Sequence, residues 1–181
     1  MTWPDYVTVA EHPDNALAYW DQRLAIHPET GQLAAMFWTH DFAAGSDLDI
    51  HIAWGSADGR TWSTPQPTGL PGQHCQPLAL GGDRLVAVYT HRRNPPGIAL
   101  SISDDYGKTW DRTQDLMVYD STEGTESGAA DNRSLAELCS DMERWRFGHP
   151  RAVRLPDGEV FVVFYAGDDH VKSARWARVA S

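Results

Sequence analysis

The sequence has few cysteines, a deficit of basic residues and no long hydrophobic run. Its 181 residues include two cysteines, Cys75 and Cys139, which are too few for a disulfide framework and lack the spacing of a zinc site. Lys and Arg number 15 against 25 Asp and Glu, so the net charge is −10. A nucleic-acid partner is not expected, because such proteins present a basic face to phosphates. No apolar run approaches the ~18–20 residues that span a bilayer, so no membrane partner is expected either.

The N-terminal residues carry neither a cationic region nor an apolar stretch, so we expect no secretory signal. As written, the chain is therefore expected to be cytoplasmic, whereas a missing N-terminal half would make an extracellular location the expectation. No motif predicts a cofactor. The acidic run at 168–170 includes a histidine, but adjacent side chains on a turn point in different directions, so we interpret it as a solvated loop and expect no metal site.

Three segments of strand length dominate the apolar pattern. They span residues 33–38, 84–89 and 160–165, are rich in β-branched and aromatic residues, and each follows a Gly-containing turn signal. The turn before the last segment, Pro156-Asp157-Gly158, is of the kind that joins antiparallel strands. Because these runs are nearly continuously apolar, their sheets are expected to be covered on both faces.

A unit of roughly 50 residues with about four strands repeats along the chain, which is typical of propeller blades. The units span about 20–70, 71–120 and 147–181, and Tyr6–Ala10 is predicted to supply the missing outer strand of the third. The predicted fold class is all-β, a partial six-bladed β-propeller of about three four-stranded antiparallel blades forming a single domain over 1–181. Since open sheet edges are rarely tolerated, we expect either a homodimer or a missing second half of the propeller.

An insertion at 120–146 separates the second and third units. Within it, Leu135, Leu138, Cys139 and Met142 follow the spacing i, i+3, i+4 and i+7, which predicts a short amphipathic helix over Ser134–Met142. Two interpretations of this helix remain open. It either packs as a lid on the propeller edge or covers a substrate.

One motif connects the chain to a known family. The segment Ser103–Trp110 fits the pattern Ser-x-Asp-x-Gly-x-Thr-Trp at every position, and Ser56–Trp62 follows it with one residue fewer between Asp and Gly. The two tryptophans are 48 residues apart (110 − 62), which is one blade. These segments resemble the Asp-box of the bacterial neuraminidase repeats in sialidases and related β-propellers. In that family the boxes lie on the face away from the substrate, so Asp58 and Asp105 are interpreted as structural.

The resemblance implies an exo-acting glycoside hydrolase that removes terminal acidic sugars from glycans. Sialidases hold the carboxylate of the sugar with three arginines, and here the resemblance implies Arg23, Arg92 and Arg151. It also implies an Asp as general acid, for which Asp21 and Asp41 are the candidates. A tyrosine nucleophile follows the same resemblance, and Tyr165 is either that nucleophile or a core aromatic at a strand end.

The repeat itself also predicts where the site lies. Aligning the units on their turns places Arg23, Gln76 and Arg151 at one position, and Asp21, His74 and His149 stand just upstream. These residues are expected to converge on one end of the propeller axis, with His74 and His149 as further substrate-binding candidates. No clear Glu partner for a nucleophilic Tyr is present. The alternative hypothesis is therefore a non-catalytic glycan- or protein-binding module. Separately, Arg23 and Arg151 are either substrate-binding residues or form salt bridges between blades.

Overall fold

The computed structural model describes residues 6–122, 146–168 and 170–180, which form three antiparallel sheets in chain order. The first sheet contains β1 Leu17–Ile26, β2 Leu33–Asp41, β3 Ser46–Asp47, β4 His51–Gly55 and β5 Gln66–Pro67. The second contains β6 Cys75–Gly81, β7 Arg84–His91, β8 Gly97–Ser103 and β9 Leu116–Asp120, with a 3₁₀ turn at Arg112–Gln114. The third contains β10 Phe147–Arg154, β11 Val160–Gly167 and β12 Lys172–Val179.

The three sheets fan around a shared axis. Strand β6 contacts both β1 and β10, so the first strands of the sheets lie together and the later strands lie progressively outward. Apolar clusters fill the two spaces between neighbouring sheets, one around Met36, Ile52 and Tyr89 and the other around Val88 and Val162. This arrangement confirms the predicted fold class, an all-β partial β-propeller.

The third sheet differs from the other two in how deeply its second strand is buried. The interior of β2 and nearly all of β7 are buried, as expected for sheets covered on both faces. In β11 burial alternates, and Val163 is 37% exposed. The expectation of two-sided burial was therefore wrong for this strand, because only one face of the third sheet packs against a neighbour in the described residues.

The predicted strand at Tyr6–Ala10 does not form. These residues have no strand partner, and Tyr6 and Val7 are 91% and 43% exposed. Val9 and Ala10 instead pack against the outer face of the first sheet near Phe37. The segment has residue types common in strands, but a strand also needs the edge of another strand to pair with. The open edge of the third sheet lies on the far side of the second sheet.

The predicted helix Ser134–Met142 lies outside the described residues. Within the described ranges, no helix has the length and hydrophobicity needed to cross a bilayer.

The two Ser-to-Trp turns lie at the end of the sheets opposite the starts of β1, β6 and β10. In the Ser103–Trp110 turn, Asp105 accepts hydrogen bonds from the Ser103 hydroxyl at 2.7 Å and from the Thr109 amide at 2.8 Å. Tyr106 has a φ of 56°, is 2% exposed, and donates its hydroxyl to the Gln32 carbonyl of the first sheet at 2.8 Å. The tyrosine ring therefore pins the second sheet to the first.

Candidate functional site

The candidate residues lie where the inner strands begin and the second strands end. Because neighbouring strands are antiparallel, the first residues of β1, β6 and β10 share one end of the sheets with the last residues of β2, β7 and β11. We call the group found there the axial cluster. It consists of Asp21, Arg23, His74, Arg92, His149, Arg151 and Tyr165.

Two β-bulges shape the cluster. The register of β1 shifts between Trp20 and Arg23, and that of β10 shifts between Gly148 and Arg151. The bulges hold Asp21 and His149 at φ values of 48° and 49°, in the left-handed region that residues other than glycine rarely adopt. A bulge re-aims a side chain at a sheet edge, and such strain concentrates at functional sites. A β-bulge with a left-handed residue thus occurs twice, two residues before Arg23 and two residues before Arg151.

The residues at the repeated upstream position meet one another. Asp21 Oδ2 lies 3.0 Å from His74 Nε2. The His74 ring in turn lies 4.0 Å from the ring of His149, centre to centre. One residue from each of the three sheets therefore forms a continuous chain of a carboxylate and two imidazoles around the axis.

Three guanidinium groups surround this chain. Arg151 Nη1 donates to Gln76 Oε1 at 3.0 Å, so the residues at the second repeated position also touch across neighbouring sheets. Arg23, Arg92 and Arg151 all lie close enough to His74 and His149 to lower the pKa of both imidazoles. Arg23 also donates to the Gln22 carbonyl at 2.8 Å. The three arginines thus converge from the three sheets.

Arg92 is fixed by a set of polar and aromatic neighbours. Its Nε donates to Gln73 Oε1 at 3.0 Å, and Gln73 Nε2 donates to Asp47 Oδ2 at 2.7 Å. The guanidinium carbon lies 4.6 Å from the centre of the Phe147 ring. Arg92 also hydrogen-bonds the side chain of Tyr165. The Tyr165 hydroxyl is consequently held beside a positively charged group.

Burial and charge set the protonation of the cluster. Burial, followed by the charges of His149 and the three arginines, lowers the pKa of His74 to about 3. Burial also lowers the pKa of His149, although the Asp21 carboxylate opposes that shift. Burial lowers the pKa of Arg92 to about 10. At neutral pH both imidazoles are therefore uncharged, and the three guanidinium groups lie near the carboxyl groups of Asp21 and Asp47.

The cluster is thus a positively charged end of an otherwise acidic chain. The whole sequence carries a net charge of −10. Groups of one charge sign that lie close together attract ions of the opposite sign. Guanidinium groups hold carboxylates through two parallel hydrogen bonds. The arrangement is therefore suited to binding a carboxylated ligand.

Aromatic side chains adjoin the cluster on the first sheet. Trp20 stacks on His40 at 5.2 Å and meets Trp38 edge-on at 5.1 Å, while the Trp38 ring lies 5.4 Å from His74. Phe42 is 50% exposed and lies 6.2 Å from Trp20. We call Trp20, Trp38 and Phe42 the aromatic wall. Exposed aromatic faces of this kind can pack against apolar faces of a ligand.

The structure brings seven of the eight candidates together, and the eighth stands apart. Asp41 accepts hydrogen bonds from the backbone N–H groups of Ala43 and Ala44 at 2.8 and 3.0 Å, so it caps its own turn. Of the two candidate acids, Asp21 is therefore the one within the axial cluster. In the described part of the chain, no group of three His, Cys, Asp or Glu side chains is arranged to hold a metal ion.

Sequence reasoning missed several supporting residues. Gln73, in the loop before β6, and Asp47, in β3, connect to Arg92, and no motif marks them. The aromatic wall was also missed, although Trp20 directly precedes Asp21 and Phe42 directly follows the Thr39–Asp41 segment that ends β2. The sequence feature that could have indicated the aromatic wall is an aromatic residue next to an aspartate, as in Trp20–Asp21 and Asp41–Phe42. The bulges leave no signal in a single sequence.

Comparison with known proteins supports the fold. No family model and no curated protein sequence matches the chain. A protein of unknown function from Dyadobacter fermentans has a similar structure, with a TM-score of 0.65 and 19% identity, over 94% of this chain and 40% of that one. The Hadza microbial sialidase Hz136 is also similar, with a TM-score of 0.52 and 15% identity, over 91% of this chain and 35% of that one. The chain thus spans two fifths or less of the length of these structures.

Proposed function

We propose that the axial cluster binds a terminal acidic sugar of a glycan, as part of a sialidase-like glycoside hydrolase. The convergence of Arg23, Arg92 and Arg151 around two uncharged imidazoles is the observation that carries this proposal. A carboxylate is the ligand that matches three guanidinium groups in an acidic protein. The fold likeness to a sialidase and the Ser103–Trp110 pattern add support.

We assign the steps of hydrolysis to two residues of the cluster. Tyr165, oriented by Arg92, attacks the anomeric carbon and passes its phenol proton to water, while the protonated carboxyl group of Asp21 donates its proton to the leaving oxygen as the bond to the rest of the glycan breaks. In the second step the Asp21 carboxylate takes a proton from a water molecule that attacks the anomeric carbon, and the bond to Tyr165 breaks as the tyrosine regains a proton. A tyrosine nucleophile departs in this way from the usual pair of carboxylates in glycosidases.

The aromatic wall adds a surface for the rest of the glycan. Sugars present apolar C–H faces that pack on indole and phenyl rings, and Phe42 offers the most exposed ring of the wall. Phe42 connects to the His74 ring through Trp20 and Trp38, so the aromatic wall would contact the part of the glycan beyond the sugar that the arginines hold.

A non-catalytic glycan-binding module is the second candidate function. The observation that favours it is the set of Tyr165 neighbours. The Tyr165 side chain hydrogen-bonds Arg92, and its ring lies 5.8 Å from the His149 ring, centre to centre. Within the described ranges no glutamate pairs with it. A site without a base for the tyrosine would still bind a carboxylated sugar through its arginines.

Turnover of a fluorogenic sialoside separates the two functions. We expect the full chain to release the fluorophore, and we expect Arg23→Ala to lower kcat/KM by at least 10-fold, since a charge-assisted hydrogen bond contributes about 1.5–3 kcal/mol. Tyr165→Phe should abolish turnover while leaving binding of the product sugar intact. Arg154→Ala is the matched control, because Arg154 bonds the Leu80 carbonyl at 2.6 Å at the opposite end of β10.

The outcomes distinguish enzyme from binding module. Turnover lost in Arg23→Ala and Tyr165→Phe but kept in Arg154→Ala supports the hydrolase. Sugar binding without turnover in the folded wild type supports the binding module. Neither binding nor turnover refutes both.

A further inference from the structure

The third sheet differs from the other two at its outer edge. The first and second sheets end in the fourth strands β5 and β9, whereas β12 pairs only with β11 among the described residues. The backbone groups along a strand edge are ready to pair with another strand. The third sheet therefore has a place for one further strand.

The outward face of the third sheet is apolar and exposed. Val153, Val163 and Trp176 are 53%, 37% and 64% exposed, and Phe161 stacks on Trp176 at 5.6 Å. The inward face of the same sheet is packed into the core. Contiguous exposed apolar surface of this kind marks an interaction site.

The repeat identifies the segment that matches the empty place. In the first two sheets, each outer strand precedes the inner strand of the next sheet; seven residues, 68–74, connect β5 to β6. Six residues, 11–16, connect Ala10 to β1 in the same way. Residues 6–10 thus hold the position of an outer strand that belongs to a preceding sheet, and in the described chain no sheet precedes β1.

The same copy cannot place residues 6–10 on its own β12. Six connecting residues span at most about 20 Å, measured from the start of β1. The third sheet packs on the face of the second sheet that is turned away from the first, and β12 is its outermost strand, so the connecting residues would have to pass around the second sheet. A second copy is therefore a source that this geometry allows.

Charge is compatible with the same pairing. Residues 6–10 carry no charge, and Glu11 and Asp14 lie in the connection from this segment to β1. Strand β12 contains Lys172, Arg175 and Arg178, of which Arg178 pairs with Asp157 and Glu159 of the same copy. Opposite charges near facing surfaces favour and orient association.

We propose that two copies of this chain exchange their N-terminal segments. Residues 6–10 of each copy pair with β12 of the other and complete its third sheet as a fourth strand. The exchange covers the exposed face around Trp176 with the first sheet of the partner. It also closes the ring of sheets around the axis, so that each axial cluster faces its counterpart. This proposal does not depend on the ligand of the cluster.

Sedimentation of the full chain tests the exchange. We expect a species of twice the 20.1 kDa chain mass at concentrations of tens of micromolar. The double variant Val7→Pro/Val9→Pro removes two backbone donors from the exchanged strand and should weaken the dimer at least 10-fold. The matched control Val7→Thr/Val9→Thr keeps both donors and a β-branched shape, and should remain dimeric.

A cross-link identifies the copy that supplies the strand. In a Cys139→Ser background, chains with Val7→Cys and chains with Ala174→Cys are refolded together and oxidised. Exchange predicts a disulfide-linked pair that contains one chain of each type. A monomeric wild type with native circular dichroism overturns the proposal. So does a dimer that the proline variant leaves unchanged, or one that forms no link between the two chain types.

Discussion

Acid is expected to destabilise the fold through His74 in particular. Burial and its cationic neighbours hold the pKa of His74 at about 3, against an ordinary value of 6.5. Between these two pH values the unfolded chain binds a proton that the folded chain excludes, so unfolding is favoured as the pH falls. The contribution of the uncharged His74 is fully present above pH 6.5 and is lost progressively toward pH 3.

The size of the effect follows from the shift. At pH 4.5, two units below the ordinary value, the loss is about 2.7 kcal/mol, at 1.36 kcal/mol per unit. Urea unfolding at pH 7.0 and 4.5, followed by tryptophan fluorescence, measures it. In His74→Gln the difference in unfolding free energy between the two pH values should shrink by about 2–3 kcal/mol.

A second histidine serves as the control. His170 is exposed, so His170→Gln should keep the pH dependence of the wild type. If His74→Gln loses as much stability on acidification as the wild type does, then His74 is not held uncharged, and the electrostatic account of the axial cluster is wrong.

Three further substitutions test the packing and the aromatic wall. Tyr106→Phe should lower the unfolding free energy by about 1 kcal/mol, because it removes one of the two hydrogen bonds that the Gln32 carbonyl accepts, and Tyr106→Ala should lower it by about 3–5 kcal/mol. Similar values for both variants would refute the role of the tyrosine ring in holding the two sheets together. Asp105→Ala should cost about 1.5–3 kcal/mol in urea unfolding, because it removes the acceptor of Thr109, and an unchanged midpoint would contradict that role. Phe42→Ala should weaken binding of a sialylated trisaccharide several-fold in calorimetry. Its thermal unfolding midpoint should stay within about 2 °C of the wild-type value, because surface changes rarely alter stability. Unchanged binding would exclude the aromatic wall from the site.

The architecture could be predicted because its signals are local. The apolar runs with Gly-containing turns gave the inner and second strands, and the Ser103–Trp110 pattern marked a tight turn held by Asp105. Placing equivalent positions of a repeat around one axis then indicated that Arg23 and Arg151 would approach each other. The approach of Arg23 and Arg151 follows from the symmetry of the repeat alone, without any information about contacts.

The remainder depended on partners that a sequence does not show. Tyr6–Ala10 has residue types common in strands, but pairing also requires an edge within reach. The exposed face of β11 was missed for the same reason, since an apolar run does not reveal whether a neighbouring sheet covers it. The left-handed backbone of Asp21 and His149 arises from bulges, which depend on the register between two strands. The sequence of a single chain contains no signal for that register.

The most direct test of the central claim is calorimetric titration with a sialic acid α-methyl glycoside and with the methyl ester of the same compound, which differ only in the negative charge. If three guanidinium groups bind the carboxylate, the charged sugar should bind at least 10-fold more tightly than the ester, as about 1.5–3 kcal/mol per charge-assisted bond requires. In Arg151→Ala this preference should shrink substantially. Equal affinity for acid and ester in the wild type, or a preference that Arg151→Ala leaves intact, would contradict an anion site at the axis.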